Sequence, residues 1–118
     1  MKKNYFLTLI FLFTSFFTVS AQCDHTFVMV DSFGDGWNGA SVDILVDGTV
    51  VAESAANSSS SYEELLFSAS TGSVIEVDNW VSGSWDSEIS WQLLDGAGTE
   101  LTSGVFGDLG AGVGYCPP

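Results

Sequence analysis

Hydrophobic and polar residues alternate along two segments of the chain, Ser41–Val46 and Glu88–Leu94, each with an apolar residue at every second position. Successive side chains of a β-strand point to opposite faces, so this pattern predicts two strands that each bury one face. The Asp47-Gly48 dipeptide that follows the first segment is typical of a two-residue hairpin turn, and Thr49–Glu53 is the expected returning strand.

Further β-rich runs are separated by short, polar or glycine-rich segments, and helical periodicity is absent beyond residue 21. This spacing of about 8–12 residues per strand is typical of all-β domains. The sequence therefore predicts an antiparallel β-sandwich of jelly-roll or Greek-key type, with about 7–8 short strands in a single domain, residues 22–118. The remaining predicted strands are His25–Val30, Tyr62–Ser68, Ser73–Asn79, Thr99–Ser103 and a short last strand that ends at Tyr115 and Cys116.

Residues 1–21 have the three parts of a secretion signal peptide. Two lysines begin it, Tyr5–Val19 is an apolar run, and Val19-Ser20-Ala21 supplies the small residues that signal peptidase requires. Cleavage after residue 21 predicts a secreted, extracellular protein, with the periplasm or the cell surface as alternatives.

Two other interpretations of residues 1–23 stay open. One is a retained membrane anchor, although the apolar run is shorter than the about 20 residues of a spanning helix. The other is a lipoprotein attached through Cys23, although Gln22 differs from the small residue that lipoprotein processing requires.

The chain beyond residue 21 contains no lysine and no arginine, whereas all 15 of its Asp and Glu residues lie there. Removal of Lys2 and Lys3 therefore lowers the formal net charge from −13 to −15. A compact body with this charge repels itself unless a cation compensates. Calcium is the expected cation, because it prefers the carboxylate and carbonyl oxygens that are abundant here. Nucleic acid is excluded as a partner, since phosphate binding needs positive charge.

Two cysteines, Cys23 and Cys116, lie at opposite ends of the predicted domain. An even number of cysteines in an exported protein predicts a disulfide, which would join the first strand to the last. Closing so long a loop contributes roughly 4–5 kcal/mol to the free energy of unfolding. Two free thiols are the alternative.

The segment Asp31–Ala40 is the strongest candidate for a metal site. Asp31 and Asp35 offer carboxylates, Asn38 offers a side-chain carbonyl, and three glycines allow backbone carbonyls to turn inward. Calcium requires such a mixture of oxygen ligands. The segment is not an EF-hand, because Phe33 stands where the middle aspartate would be. The alternative is a metal-free turn whose polar side chains bond backbone N–H groups.

A second acidic segment, Asp86-Ser87-Glu88, is expected to complete this calcium site with Asp86 and Glu88. Glu88 opens the second alternating strand, and in a sandwich this position can lie beside the first loop. An ordinary solvated acid at the edge of a strand is the alternative interpretation of Glu88.

The D-S-x-G-D-G-W-N-G-A pattern of Asp31–Ala40 resembles a signature of small secreted β-sandwich domains of Gram-negative bacteria. The hairpin turn at Asp47-Gly48, the later Ser87–Trp91 segment and the Asp95–Gly98 turn extend the resemblance over most of residues 22–118. The resemblance implies a secreted β-rich domain of a kind often joined to adhesins or enzymes and mostly without an assigned function. A weaker, fold-level similarity to CUB-type sandwiches implies calcium bound by acidic loops.

The chain has four tryptophans, and Trp91 alternates with apolar residues as a core residue does. Trp37, Trp80 and Trp85 lie in predicted loops beside Gly, Ser, Asp or Asn. Indole rings in such surroundings form platforms for sugars, which predicts a ligand-binding role for these three residues. The alternative is that each ring closes one end of the core with its N–H bonded to a loop carbonyl.

An enzyme is not expected, because His25 is the only histidine and no Lys, Arg or free Cys is available as nucleophile, base or anion clamp. The predicted function is a secreted, calcium-binding β-sandwich module that mediates glycan or surface binding in adhesion. The alternative is an extracellular structural subunit that self-assembles, with calcium screening charge between copies.

Overall fold

The computed structural model describes residues 21–118, so the predicted signal peptide lies outside the described residues except for Ala21. The described chain forms an antiparallel β-sandwich of two four-stranded sheets, which confirms the predicted fold class. Among residues 21–118, no helix is long and apolar enough to cross a membrane. The strands are β1 (Gln22–Asp31), β2 (Ser41–Val46), β3 (Thr49–Ala55), β4 (Tyr62–Ser70), β5 (Val74–Val81), β6 (Ile89–Leu94), β7 (Glu100–Val105) and β8 (Gly110–Val113), and a 3₁₀ turn (Asp86–Glu88) precedes β6.

The strand order is β4-β1-β6-β7 in one sheet and β3-β2-β5-β8 in the other. Only the β2–β3 and β6–β7 connections stay within a sheet, whereas each of the others crosses between the two sheets. Strands β1, β2, β5 and β6 are central, so their backbones are hydrogen-bonded on both sides.

The alternating segments fold as predicted. Strand β2 has the predicted bounds, and the turn that follows has positive φ at Asp47 (51°) and Gly48 (81°), as a primed hairpin turn requires. Strand β6 begins at Ile89, one residue later than predicted, because residues 86–88 form the 3₁₀ turn.

The core lies between the sheets and is built from every second residue of the central strands. In β1 the inward positions are His25, Phe27, Met29 and Asp31, all of which are buried. This strand therefore brings an imidazole to one end of the core and a carboxylate to the other. The remaining core side chains include Val42 and Ile44 of β2, Ile75 and Val77 of β5, and Ile89, Trp91 and Leu93 of β6.

The imidazole end of the core carries the predicted disulfide, Cys23–Cys116. The Nε2 atom of His25 accepts the backbone N–H of Tyr115 (3.2 Å), so Nδ1 carries the proton and donates to the carbonyl of Cys23 (3.2 Å). The backbone of Gly96 lies against the bridge, where a Cβ atom would approach Cys23 Sγ to 2.3 Å. The disulfide thus joins β1 to the segment that follows β8.

Candidate functional site

The candidate site lies at the other end of the core and begins with the carboxylate of Asp31. This residue is 1% exposed, and its Oδ2 atom accepts the backbone N–H groups of Gly34 (2.9 Å), Asp35 (2.7 Å) and Gly36 (2.9 Å). The three donors come from a loop that wraps around a single oxygen. Asp31 is therefore the residue on which the loop after β1 is organised.

Glycines allow the chain to make this wrap. Gly34 and Gly36 have φ of 98° and 94°, which L side chains rarely adopt. Gly36 also leaves no room for a Cβ atom, because the carbonyl oxygen of Asn57 would lie 2.8 Å from it. The neighbouring Trp37 N–H donates to that same carbonyl (2.8 Å), so the loop is fixed to the β3–β4 connection.

The antiparallel pairing of β1 with β6 brings Glu88 to this loop. Asp31 lies opposite Ile89 in the register, and the N–H of Ser32 donates to the carbonyl of Glu88 (3.0 Å) one step further along. The result is an acidic cluster of Asp31, Asp35 and Glu88, in which one carboxylate oxygen of each residue lies within 4.8 Å of the other two. Of the two ligands predicted from the second acidic segment, Glu88 is therefore the one that lies beside the first loop.

The size of this acidic cluster fits one calcium ion. Calcium–oxygen distances are about 2.3–2.6 Å, so two ligand oxygens on opposite sides of the ion are about 4.6–5.2 Å apart. The three carboxylate oxygens all lie within 4.8 Å of one another, so they are close enough to share one ion. Asp35 is exposed and Glu88 is half-buried, so the cluster opens to solvent on one side.

Asn38 contacts the cluster through its side-chain amide nitrogen. Its Nδ2 donates to Oδ2 of Asp35 (3.2 Å), whereas its Oδ1 is buried and accepts no hydrogen bond. Buried carbonyl oxygens nearly always have a partner. Amide oxygens are among the ligand types of calcium, and the sequence-based prediction of Asn38 as a ligand stays a prediction.

The electrostatics of the cluster are those of three acids without a basic neighbour. Burial favours the neutral form of Asp31, but the hydrogen bonds from Asp35, Gly34 and Gly36 outweigh burial and lower the pKa of Asp31. Desolvation, followed by the adjacent Asp31 carboxylate, raises the pKa of Asp35. Desolvation and the charges of Asp31 and Asp35 likewise raise the pKa of Glu88. A divalent cation would offset the like-charge repulsion that contributes to the raised pKa values of Asp35 and Glu88.

A cavity of about 240 Å³ lies over the exposed side of the cluster and is lined by Phe33, Asp35, Trp85 and Glu88. The side chains of Phe33 and Trp85 are 73% and 57% exposed. Phe33 is not among the ligand-binding residues predicted from the sequence, where it serves only to rule out an EF-hand. Its position, a large apolar residue in a turn otherwise polar and rich in glycine, could have indicated an exposed contact residue.

Asp86, the other residue predicted from the second acidic segment, does not lie in the cluster of Asp31, Asp35 and Glu88. Oδ1 of Asp86 accepts the N–H of Gly83 (2.8 Å) and Oδ2 accepts the hydroxyl of Ser82 (2.6 Å). Asp86 thus closes the loop between β5 and β6. That loop packs on the first one, because the N–H of Ser84 donates to the carbonyl of Asn38 (3.1 Å).

Two of the three predicted platform tryptophans are structural. Trp37 is 1% exposed and donates its indole N–H to the carbonyl of Val30 (3.0 Å), so it belongs to the core. Trp80 is half-buried, donates to the carbonyl of Asp108 (2.9 Å), and packs between Trp37 and Phe106. Both rings therefore help to close the end of the core, and Trp85 is the one of the three that lines the cavity beside the cluster.

No protein-family model, no curated protein and no solved structure matches this chain. The resemblance of the Asp31–Ala40 motif to small secreted β-domains therefore stays a prediction from the sequence. The case for function rests on the geometry of the acidic cluster and the cavity beside it.

Proposed function

We propose that the chain is a secreted, extracellular calcium-binding β-sandwich module that mediates binding to a glycan or another cell-surface component. Calcium would be held by Asp31, Asp35 and Glu88, with the amide oxygen of Asn38 as a further ligand. The role is one of binding rather than catalysis.

The observation that carries this proposal is the convergence of three carboxylates within 4.8 Å at one end of the core. Residues 22–118, which form this domain, contain no lysine or arginine to offset these charges, so a divalent cation from solution is the counter-charge that supports the proposal. The exposed rings of Phe33 and Trp85 next to the cluster support a ligand-binding surface there.

The test is a thermal-melting series at pH 7 with excess calcium or with EDTA, together with a calorimetric calcium titration. Calcium is expected to raise the melting temperature, since ligand binding to the folded state stabilises it by mass action. Glu88→Gln keeps the shape but removes one charge, and should reduce this calcium-dependent increase. Glu100→Gln, an exposed acid outside the cluster, is the matched control. Identical melting curves with calcium and with EDTA would refute the calcium site.

Surface binding is tested separately on a glycan array with calcium present. Retention on particular glycans that is lost with EDTA supports a calcium-dependent sugar site. A blank array, with calcium binding intact, would remove the glycan from the proposal and leave the calcium-binding module.

One observation favours self-assembly as a second candidate function. Edge strand β8 (Gly110–Val113) carries no charged side chain, and its Val113 (60% exposed) lies opposite Val74 (46% exposed) on β5. Uncharged edge strands tend to pair with other chains. Light scattering during a calcium titration tests this role, and growth that Val113→Lys abolishes would support it. A monomer at every calcium concentration would contradict it.

A further inference from the structure

The cavity beside the acidic cluster combines two exposed aromatic rings, Phe33 and Trp85, with two carboxylates, Asp35 and Glu88. Aromatic faces attract cations, with Trp the strongest, and carboxylates add charge-assisted hydrogen bonds. We propose that this cavity binds the side chain of an arginine presented by a partner protein.

The shape of the polar groups selects arginine among cations. A guanidinium group is flat and carries several N–H donors, so it can stack on a ring while it bonds two acceptors at once. Carboxylate oxygens of Asp35 and Glu88 lie within 4.8 Å of each other, a separation that one guanidinium can bridge. The deeper carboxylate, Asp31, already has one oxygen saturated by backbone N–H groups. A lysine ammonium group has no flat face to stack on Trp85, and its charge is concentrated at a single point.

The charge of the chain determines what kind of partner supplies this arginine. Residues 22–118 contain neither arginine nor lysine, so a second copy of this domain has no basic side chain to insert. The partner is therefore a different protein with an exposed basic segment. The formal charge of −15 on residues 22–118 would accelerate the approach of such a partner at low salt.

Arginine and calcium would use the same carboxylates, and this part of the inference rests on the proposed function. Calcium coordinated by Asp35 and Glu88 withdraws the oxygens that a guanidinium needs and adds positive charge at the floor of the cavity. Calcium is therefore a competitor that releases the basic partner.

The experiment is an NMR titration of the ¹⁵N-labelled domain in EDTA with Nα-acetyl-arginine N-methylamide, with the indole N–H of Trp85 as the reporter. The indole N–H groups of Trp37, Trp80 and Trp91 are each bonded to a backbone carbonyl, which makes them internal references. The matching citrulline compound has nearly the same shape without the charge. The arginine compound is expected to shift the Trp85 signal saturably, and the citrulline compound is not.

Variants and calcium then locate the binding. Phe33→Ala and Glu88→Gln should each weaken the arginine compound by about two- to five-fold, the range expected for an exposed cation–π or ionic contact. Tyr62→Ala removes an aromatic ring of similar exposure (54%) elsewhere and should change nothing. Added calcium should raise the apparent Kd in proportion to its concentration, without reducing the shift at saturation.

Each contrary result has a definite meaning. An equal response to the citrulline compound, or to Nα-acetyl-lysine N-methylamide titrated in the same way, would overturn the arginine assignment. A saccharide that shifts Trp85 when arginine does not would assign the cavity to glycan instead. Calcium stabilisation without any arginine response would refute this inference and leave the proposed function intact. Arginine binding that added calcium does not weaken would refute the competition alone, and the melting series decides separately whether calcium binds.

Discussion

The backbone N–H of Asp35 donates to Oδ2 of Asp31 at 2.7 Å, while the carboxylates of the same two residues face each other in the acidic cluster. Asp31 is thus both the acceptor on which the loop is organised and a ligand candidate. The backbone of Asp35 is therefore held by the residue whose negative charge repels its own side chain. The structural role of Asp31 and the metal-binding role proposed for the cluster can be tested separately.

Asp31→Ala should destabilise the domain even in EDTA. The N–H groups of Gly34, Asp35 and Gly36 lose their common acceptor, and leaving partners unsatisfied costs about 2–3 kcal/mol. Chemical denaturation measures this loss as a lower midpoint at unchanged slope. Asp24→Ala, an exposed residue with the same change of charge, is the control. Equal stability of the two variants would show that the loop does not depend on Asp31.

The metal-free protein should become less stable as the pH rises above about 4.5 toward neutrality. The pKa values of Asp35 and Glu88 are raised, from 3.8 and 4.5, so the folded state holds these protons more tightly than the unfolded chain. Their contribution to the free energy of unfolding is fully present at pH values below the ordinary pKa values, and it is lost as the pH rises through the raised pKa values. Asp31 has the opposite effect because its pKa is lowered. Its contribution to the free energy of unfolding is present above pH 3.8 and is lost as the pH falls below that value.

Melting temperatures in EDTA across this pH range test the titration of the cluster. Glu88→Gln lacks one of the two groups and should show a shallower decline than the native chain. Excess calcium should remove the decline, because it binds the deprotonated form. A decline of the same steepness in Glu88→Gln would place the titrating group elsewhere.

The two classes of tryptophan predict opposite results of truncation. Trp37→Ala empties a fully buried position and should cost about 3–5 kcal/mol in the free energy of unfolding. Trp85→Ala removes an exposed ring and should change that free energy by less than about 0.5 kcal/mol. Urea titrations of both variants provide the comparison. A large loss of stability in Trp85→Ala would mean that this ring supports the fold rather than a ligand.

Gly83→Ala should separate the two loops that form the site. A Cβ atom at Gly83 would lie 2.4 Å from the backbone nitrogen of Ala40 and 2.6 Å from the carbonyl oxygen of Asn38, so the backbone must move. Both stability and calcium affinity should fall, by about 1–3 kcal/mol in the unfolding free energy. Calorimetry with Ser84→Ala, an exposed neighbour, gives the baseline. Unchanged calcium affinity in Gly83→Ala would show that loop packing does not shape the site.

Reduction of the disulfide should cost roughly 4–5 kcal/mol, because Cys23 and Cys116 are separated by 93 positions and their link restricts nearly all of the unfolded chain. Denaturation with and without reductant measures the difference. The Cys23→Ser, Cys116→Ser double variant should already have the lower stability and should not respond to reductant. Reductant sensitivity of that variant would point to an effect unrelated to the bridge.

The strands and the core could be predicted because their signals are local. Alternation in Ser41–Val46 and at Ile89, Trp91 and Leu93 fixes which faces are buried, and the Asp47-Gly48 pair fixes a hairpin. The predicted cysteine pair needed only the number of cysteines and the predicted signal peptide.

The site was predicted in part, because its residues come from segments far apart in the chain. Asp31, Asp35 and Asn38 share one loop and could be grouped by spacing, but the meeting with Glu88 depends on the β1–β6 register. Composition does not distinguish Glu88 from Asp86, two positions away, although only Glu88 points at the cluster. The exposure of Phe33 and the burial of Trp37 likewise depend on which way the loop turns after Asp31.

Strand β1 is synthesised before every other strand and yet lies between β4 and β6 in its sheet. Its backbone cannot complete its pairing until the chain has been made as far as Leu94, and the covalent ring closes only after Cys116. Such non-local pairing makes folding slow and leaves strand edges open in the meantime. Within residues 22–70 a growing chain can form only the β1–β4 and β2–β3 pairs, so both sheets are incomplete and apolar faces stay exposed until the second half is made. A product truncated there would be a target for chaperones and proteases.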